Sequence, residues 1–149
     1  MLRWLLAAVH LLALAIGLGA VWARSRALRQ PLDAPGFRRV FEADAWWGVA
    51  ALLWITTGLW RWLAGTEKAS SYYVANHVFW LKMALLVAIV LLELSPMMAL
   101  MTWRRQLAAG QLPDVTRAAH FARISAFQAG LVVLMVLAAT AMARGYGAR

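Results

Sequence analysis

Asn76 to Trp103 reads Asn-His-Val-Phe-Trp-Leu-Lys-Met-Ala-Leu-Leu-Val-Ala-Ile-Val-Leu-Leu-Glu-Leu-Ser-Pro-Met-Met-Ala-Leu-Met-Thr-Trp. From residue 78 to residue 102 it is long and apolar enough to cross a bilayer, since roughly 20 helical residues cover about 30 Å of hydrocarbon. Yet it holds two charges, Lys82 and Glu93. Each costs on the order of 3 kcal/mol at the centre of an inserted helix. A chain keeps such groups where they reach water or meet a partner inside the protein. Lys82, Leu86, Ile89 and Glu93 follow 4, 3, 4 spacing, so Lys82 and Glu93 share a face but stand about three turns apart. They cannot pair with each other. Glu93 therefore needs its own partner among Gln128, Ser125, Arg123 or the arginines of the connections.

Working outward, three more apolar runs appear, at about 4–23, 45–64 and 124–143. The whole chain is 64% hydrophobic and 14% charged, with mean hydropathy +0.67. A soluble domain is nearer 45–50% apolar and about 25% charged. The expectation is an all-α polytopic membrane protein, a single domain over 1–149, folded as a four-helix up-down bundle with left-handed crossings. No cysteine is present, which excludes disulfides, thiolate metal sites and thiol nucleophiles. The net charge of +9 comes from basic residues flanking the apolar runs. It points to lipid head groups and not to nucleic acid. The first run is flanked by Trp22 and Arg24 and lacks a small-residue cleavage site, so it reads as a retained span and not a signal peptide.

Along the first span, Arg3, His10, Gly17 and Arg24 are seven apart and fall on one helical stripe. Ala13–Gly17 and Ala15–Gly19 are small-xxx-small pairs that let a second helix approach. The first connection carries Arg24, Arg26, Arg29, Arg38 and Arg39. Asp33-Ala-Pro-Gly offers a helix start, and Phe37 to Phe41 suggests a short interfacial helix before span two. Trp46, Trp47, Trp54, Trp60 and Trp62 crowd span two; Trp54 lies deepest and packs against a neighbouring helix, lipid or a ligand. Pro96 should kink or open span three. Asp114 or Thr116 is a candidate N-cap for the last helix, and residues 145–149 read as a frayed tail. The first and third connections hold nine arginines, against five Lys or Arg in the N-terminus, second loop and tail. The positive-inside rule then puts both termini outside the cytoplasm of a bacterial inner membrane.

In that topology His10 and Lys82 lie within roughly 5 Å of the same depth and face a pocket in the outer half of the bundle. Haem ligation by two histidines is disfavoured, because His77 differs from His10 by about a dozen Å in depth, a poor match for two axial ligands of one flat ring. Ligation by His10 alone is open. Met97, Met98 and Met101 could offer thioethers to Cu(I), although methionine more commonly serves in packing. Lys82, about five residues from the interface, can equally extend its ammonium to the head groups and need no pocket.

The stretches Val-His-Leu-Leu-Ala-Leu at 9–14, Arg38-Arg39 before Asp44-Ala-Trp-Trp-Gly, Thr57-Gly-Leu-Trp-Arg, Phe79-Trp-Leu-Lys-Met and Arg123-Ile-Ser together resemble an uncharacterised family of small bacterial four-helix membrane proteins, a domain of unknown function. The likeness spans nearly the whole chain. More distantly the chain is similar to HemJ, the haem-binding family of protoporphyrinogen oxidation, and to the CopD-type copper proteins. The HemJ resemblance matches His10, then Gly17 or Gly19, then Arg24 or Arg26, in the first helix, and Trp80 with Lys82 in the third. HemJ's histidine-tyrosine cluster after helix three is replaced here by Pro96-Met-Met, and its Asn-Glu-x-Pro by Ala126-Phe-Gln. The resemblance implies a haem b or porphyrin site in which His10 is the axial ligand to iron, Lys82 holds a propionate or tunes the iron, and Trp54 or Trp80 lines the ring. Glu93, Gln128 and Arg24 are further buried polar candidates. Nine tryptophans and few reactive groups also fit a non-enzymatic accessory subunit, in a homo-oligomer or a larger membrane complex. A transporter using Lys82 and Glu93 ranks last, because no matched pair of broken helices is visible.

Overall fold

The computed structural model describes residues 2–64 and 74–147. Four helices make up the described chain: α1 Leu2–Ala27, α2 Ala34–Leu63, α3 His77–Ala108 and α4 Ala118–Ala143. Three of them, within Arg3–Ala27, His77–Ala108 and Ala118–Ala143, are long and apolar enough to cross a membrane. α2 carries five charged residues, Arg38, Arg39, Glu42, Asp44 and Arg61, which make it the least apolar of the four.

Helix limits follow local chemistry. Asp33 caps α2: its Oδ1 accepts the Gly36 amide at 2.8 Å, and Pro35 occupies the first turn, where its missing N–H costs nothing. From that cap α2 runs unbroken, so the separate interfacial helix expected around Phe37 is instead the first turns of α2. Phe37 and Val40 are buried there. Asn76 caps α3 by accepting the Val78 amide at 2.9 Å. Pro96 does not open α3; the helix continues through it to Ala108, with Pro96, Leu100 and Trp103 all buried. At α4, Asp114 accepts the Thr116 amide at 2.9 Å in a turn before the helix. That bond holds its carboxyl below the usual carboxylate range. The cap position itself falls to Arg117, whose side chain makes no capping bond. The expected frayed end is docked through residue 147: Asn76 Nδ2 donates to Tyr146 O at 3.2 Å, and the His77 amide donates to Gly147 O at 3.3 Å. Gly147 has φ +79 and sits where a Cβ would lie 2.6 Å from Val78 Cγ2, so glycine fits both the backbone and the space. The expected polar loop with Glu67, Lys68, Tyr72 and Tyr73 lies outside the described residues.

α1 packs against both α2 and α4, and α3 packs against α4. Two apolar clusters fill the interior. One contains Val21, Trp47, Trp54, Ile89, Val132 and Met135. The other contains Leu28, Phe37, Val40, Leu100, Trp103 and Phe121. The contact between α1 and α2 rests on the predicted stripe: His10, Gly17 and Arg24 are all buried, while Arg3 is exposed. A Cβ at Gly17 would sit 3.4 Å from both Ala50 Cβ and the Trp47 ring. Of the two small-xxx-small pairs only Ala13–Gly17 serves the interface; Ala15 and Gly19 face outward.

Gly17→Leu should therefore destabilise the protein by about 1–3 kcal/mol through overpacking against Trp47. Gly19→Leu, with open space around it, should change stability little. Denaturant titration of both variants in one detergent checks the contrast, which vanishes if α1 meets α2 on another face.

Candidate functional site

Two polar levels interrupt the apolar interior. At the first, Arg24 near the end of α1 is fully buried. Its Nε donates to Ser125 Oγ at 3.0 Å. Nη1 donates to Asp44 Oδ1 at 2.8 Å and to Glu93 Oε1 at 2.6 Å. Nη2 donates to Glu93 Oε2 at 2.7 Å and to Gln128 Oε1 at 3.0 Å. A guanidinium has five N–H donors, and here five acceptors meet them. Gln128 is oriented in turn, since its Nε2 donates to Glu93 Oε2 at 2.8 Å and to Ile89 O at 3.2 Å. Arg104 from α3 closes the set, donating to Asp44 Oδ2 at 2.8 Å and to Phe41 O at 3.1 Å. Two arginines and two carboxylates balance in charge, and every helix contributes a member. Beside them, Ser25 Oγ donates to Ala122 O at 2.8 Å.

Arg24, Glu93 and Gln128 were legible as buried polar candidates, and the partner sought for Glu93 is Arg24 together with Gln128. Asp44 and Arg104 stand at the edges of apolar runs, where charged residues are ordinary and by type alone carry no sign of a buried role. The signal for Asp44 was its spacing, four after buried Val40 and three before buried Trp47, which puts it on the inward face of α2.

The second level lies fourteen residues earlier on α1, about 21 Å away along the axis. His10 is 7% exposed. Its Nδ1 lies 2.9 Å from Thr57 Oγ1, and its ring is tilted 6.3 Å from that of Trp54. The Thr57 hydroxyl has one hydrogen, which it gives to the Leu53 carbonyl at 2.6 Å, with Trp54 O at 3.2 Å. With that hydrogen given to the helix backbone, the Thr57 oxygen offers a lone pair to the Nδ1–H tautomer of His10. Gly58 leaves room for this ring, since a Cβ there would lie 3.1 Å from His10 Cε1.

His10 and Trp54 line a cavity of about 390 Å³ together with Lys82, Arg61, Trp62 and Phe79. All four helices supply walls, and Met83, Leu86 and Met135 make its apolar lining. Its volume is in the range of small-molecule sites. The sequence thus brought His10, Lys82 and Trp54 to one place. Trp80 does not join them. It is 52% exposed and turns outward, its Nε1 donating to Val74 O at 2.9 Å, because one residue along a helix rotates a side chain by about 100° away from buried Phe79. His77 and His120 are exposed. Met97, Met98 and Met101 also point outward and do not converge. Thr57, which fixes the imidazole, was missed as a site residue, although it opens one of the motifs quoted above.

Removing Arg24 leaves two carboxylates in the interior without their shared cation. Arg24→Ala should cost about 3–5 kcal/mol. Arg24→Lys should recover only part of that, because an ammonium cannot pair in the bidentate geometry. Unfolding in mixed detergent measures both. Equal losses for Lys and Ala would mean the charge is not what holds the site, and no loss for either would mean the network contributes nothing to stability.

No curated protein and no solved structure matches the sequence. A family model described as "Predicted membrane protein (DUF2214)" matches residues 2–147. With the match covering nearly the full length, the chain belongs to the DUF2214 family of predicted membrane proteins.

Proposed function

We propose that this membrane protein binds haem b or a related porphyrin in the His10 cavity and acts in redox chemistry, with all four helices spanning the bilayer up-down-up-down. The observation that carries the reading is the His10–Thr57 pair. In metal sites the ligating imidazole commonly gives its other ring N–H to a fixed acceptor, and the Thr57 hydroxyl at 2.9 Å from Nδ1 would serve that role here. The remaining walls fit the same class of ligand. Trp54, Trp62 and Phe79 supply aromatic faces for a flat apolar body, and Lys82 and Arg61 supply cations for its carboxylates. The likeness of His10, Arg24 and Lys82 to HemJ positions supports it from the sequence side.

In this reading His10 would hold the iron, Lys82 and Arg61 would orient the propionates, and the apolar walls would exclude water. Bound haem would supply one-electron chemistry at a potential set by its ligand and surroundings. The charge bias of the connections favours an orientation in a bacterial inner membrane with both termini outside the cytoplasm.

An absorption spectrum of the purified protein, before and after incubation with haem, tests the proposal. The wild type should show a Soret band that His10→Ala abolishes. Thr57→Val, which removes the acceptor for Nδ1–H, should weaken haem affinity about tenfold or more. Free-base porphyrin needs no iron ligand, so His10→Ala should still bind it, detected by fluorescence. A wild-type protein that takes up neither haem nor porphyrin overturns the reading.

A further inference from the structure

We infer that the outer groove between α1 and α2 is a binding site for one anionic phospholipid. The groove has a volume of about 550 Å³ and is separate from the His10 cavity. Its floor is made of small side chains, Gly19, Ala20 and Ala23 on α1 and Ala43 on α2, with the Trp46 ring as one wall. Its polar end holds Arg26 and Arg39.

Length and charge together select the occupant. From Ile16 to Arg26 the groove follows α1 for ten residues, about 15 Å, which is the depth of one leaflet of a roughly 30 Å hydrocarbon core. α1 is one of the helices long and apolar enough to cross that core. An acyl chain lying over the small residues therefore ends with its head group beside the arginines. Among the described residues Arg26 and Arg39 make no ion pair, unlike Arg24 and Arg104, which are held by Asp44 and Glu93. Glu42 also lines the polar end, but its carboxylate lies 4.0 Å from Arg38 on the same helix. Two guanidiniums against one carboxylate leave that end positive. Basic pockets beside spanning helices recognise anionic head groups in this manner, and a phosphodiester suits the fork of a guanidinium.

Native mass spectrometry of the full-length protein in mild detergent, offered equal amounts of phosphatidylglycerol and phosphatidylcholine, tests the site. The wild type should retain phosphatidylglycerol preferentially. Arg26→Gln with Arg39→Gln should reduce that preference by about fivefold per guanidinium. The same pair of substitutions at the exposed Arg105 and Arg123 should leave it unchanged. Gly19→Leu, which fills the floor from a position with open space around it, should lower retention of both lipids without lowering stability. The inference is overturned if the wild type shows no preference. It is also overturned if the preference survives Arg26→Gln with Arg39→Gln, or if Arg105→Gln with Arg123→Gln removes it equally, since the charge effect would then be general to the surface.

Discussion

The fold depends on placing one guanidinium where water does not reach. A charge in an apolar interior is tolerated only if its hydrogen bonds and its countercharge are both supplied. Arg24 needs five acceptors, and no single helix can present five at one point. Ser125 and Gln128 come from α4, Glu93 from α3 and Asp44 from α2. Satisfying Arg24 therefore sets the rotation and the axial register of all four helices together. Apolar packing alone would specify neither as sharply, since in lipid the side chains between helices resemble the tails outside.

The same constraint explains the layering of the interior. On α1 the network residue Arg24 lies between buried Val21 and Ala27. On α2 Asp44 lies between Val40 and Trp47, and on α3 Glu93 lies between Ile89 and Leu100. On α4 Ser125 and Gln128 lie between Ala122 and Ala129. Each helix changes from one apolar cluster to the other at its network residue. The large rings bracket this level: Trp47 packs on Gly17 on one side of it, and Trp103 meets Phe37 and Phe121 edge-on at the other.

Much of this was legible in the sequence. The four apolar runs gave four helices, and the seven-residue stripe of His10, Gly17 and Arg24 gave the inward face of α1. The cost of Glu93 in lipid demanded a partner, and the choice was already narrowed to groups that include the observed ones. What the sequence withheld was geometry that depends on two helices at once. Asp44 and Arg104 look like ordinary boundary residues until α2 and α3 are set side by side. Aromatic character alone does not choose a face: Trp80 turns outward, whereas its neighbour Phe79 is buried against Trp62 at 5.2 Å. Pro96 was expected to interrupt α3 on local grounds, but buried Leu100 and Trp103 carry the helix on past it. The quoted motifs held more than their apolar content: 9–14 supplies His10, Asp44-Ala-Trp-Trp-Gly supplies Asp44, Thr57-Gly-Leu-Trp-Arg supplies Thr57 and Arg61, Phe79-Trp-Leu-Lys-Met supplies Lys82, and Arg123-Ile-Ser supplies Ser125.

The two polar levels differ in how much space they enclose. At the Arg24 level the donors of the guanidinium are consumed, the charges balance, and the groups pack tightly between apolar clusters. Introducing a ligand there would require breaking charge-assisted bonds of 2.6–2.8 Å, the stronger class of hydrogen bond. That level suits a fixed support. The His10 level sets an imidazole, two basic side chains and aromatic walls around enclosed volume. Both levels hang on α1, fourteen residues apart, so the register that Arg24 enforces on the four helices also sets where the walls of the His10 cavity stand. The level with space is held in shape by the level that is fully satisfied.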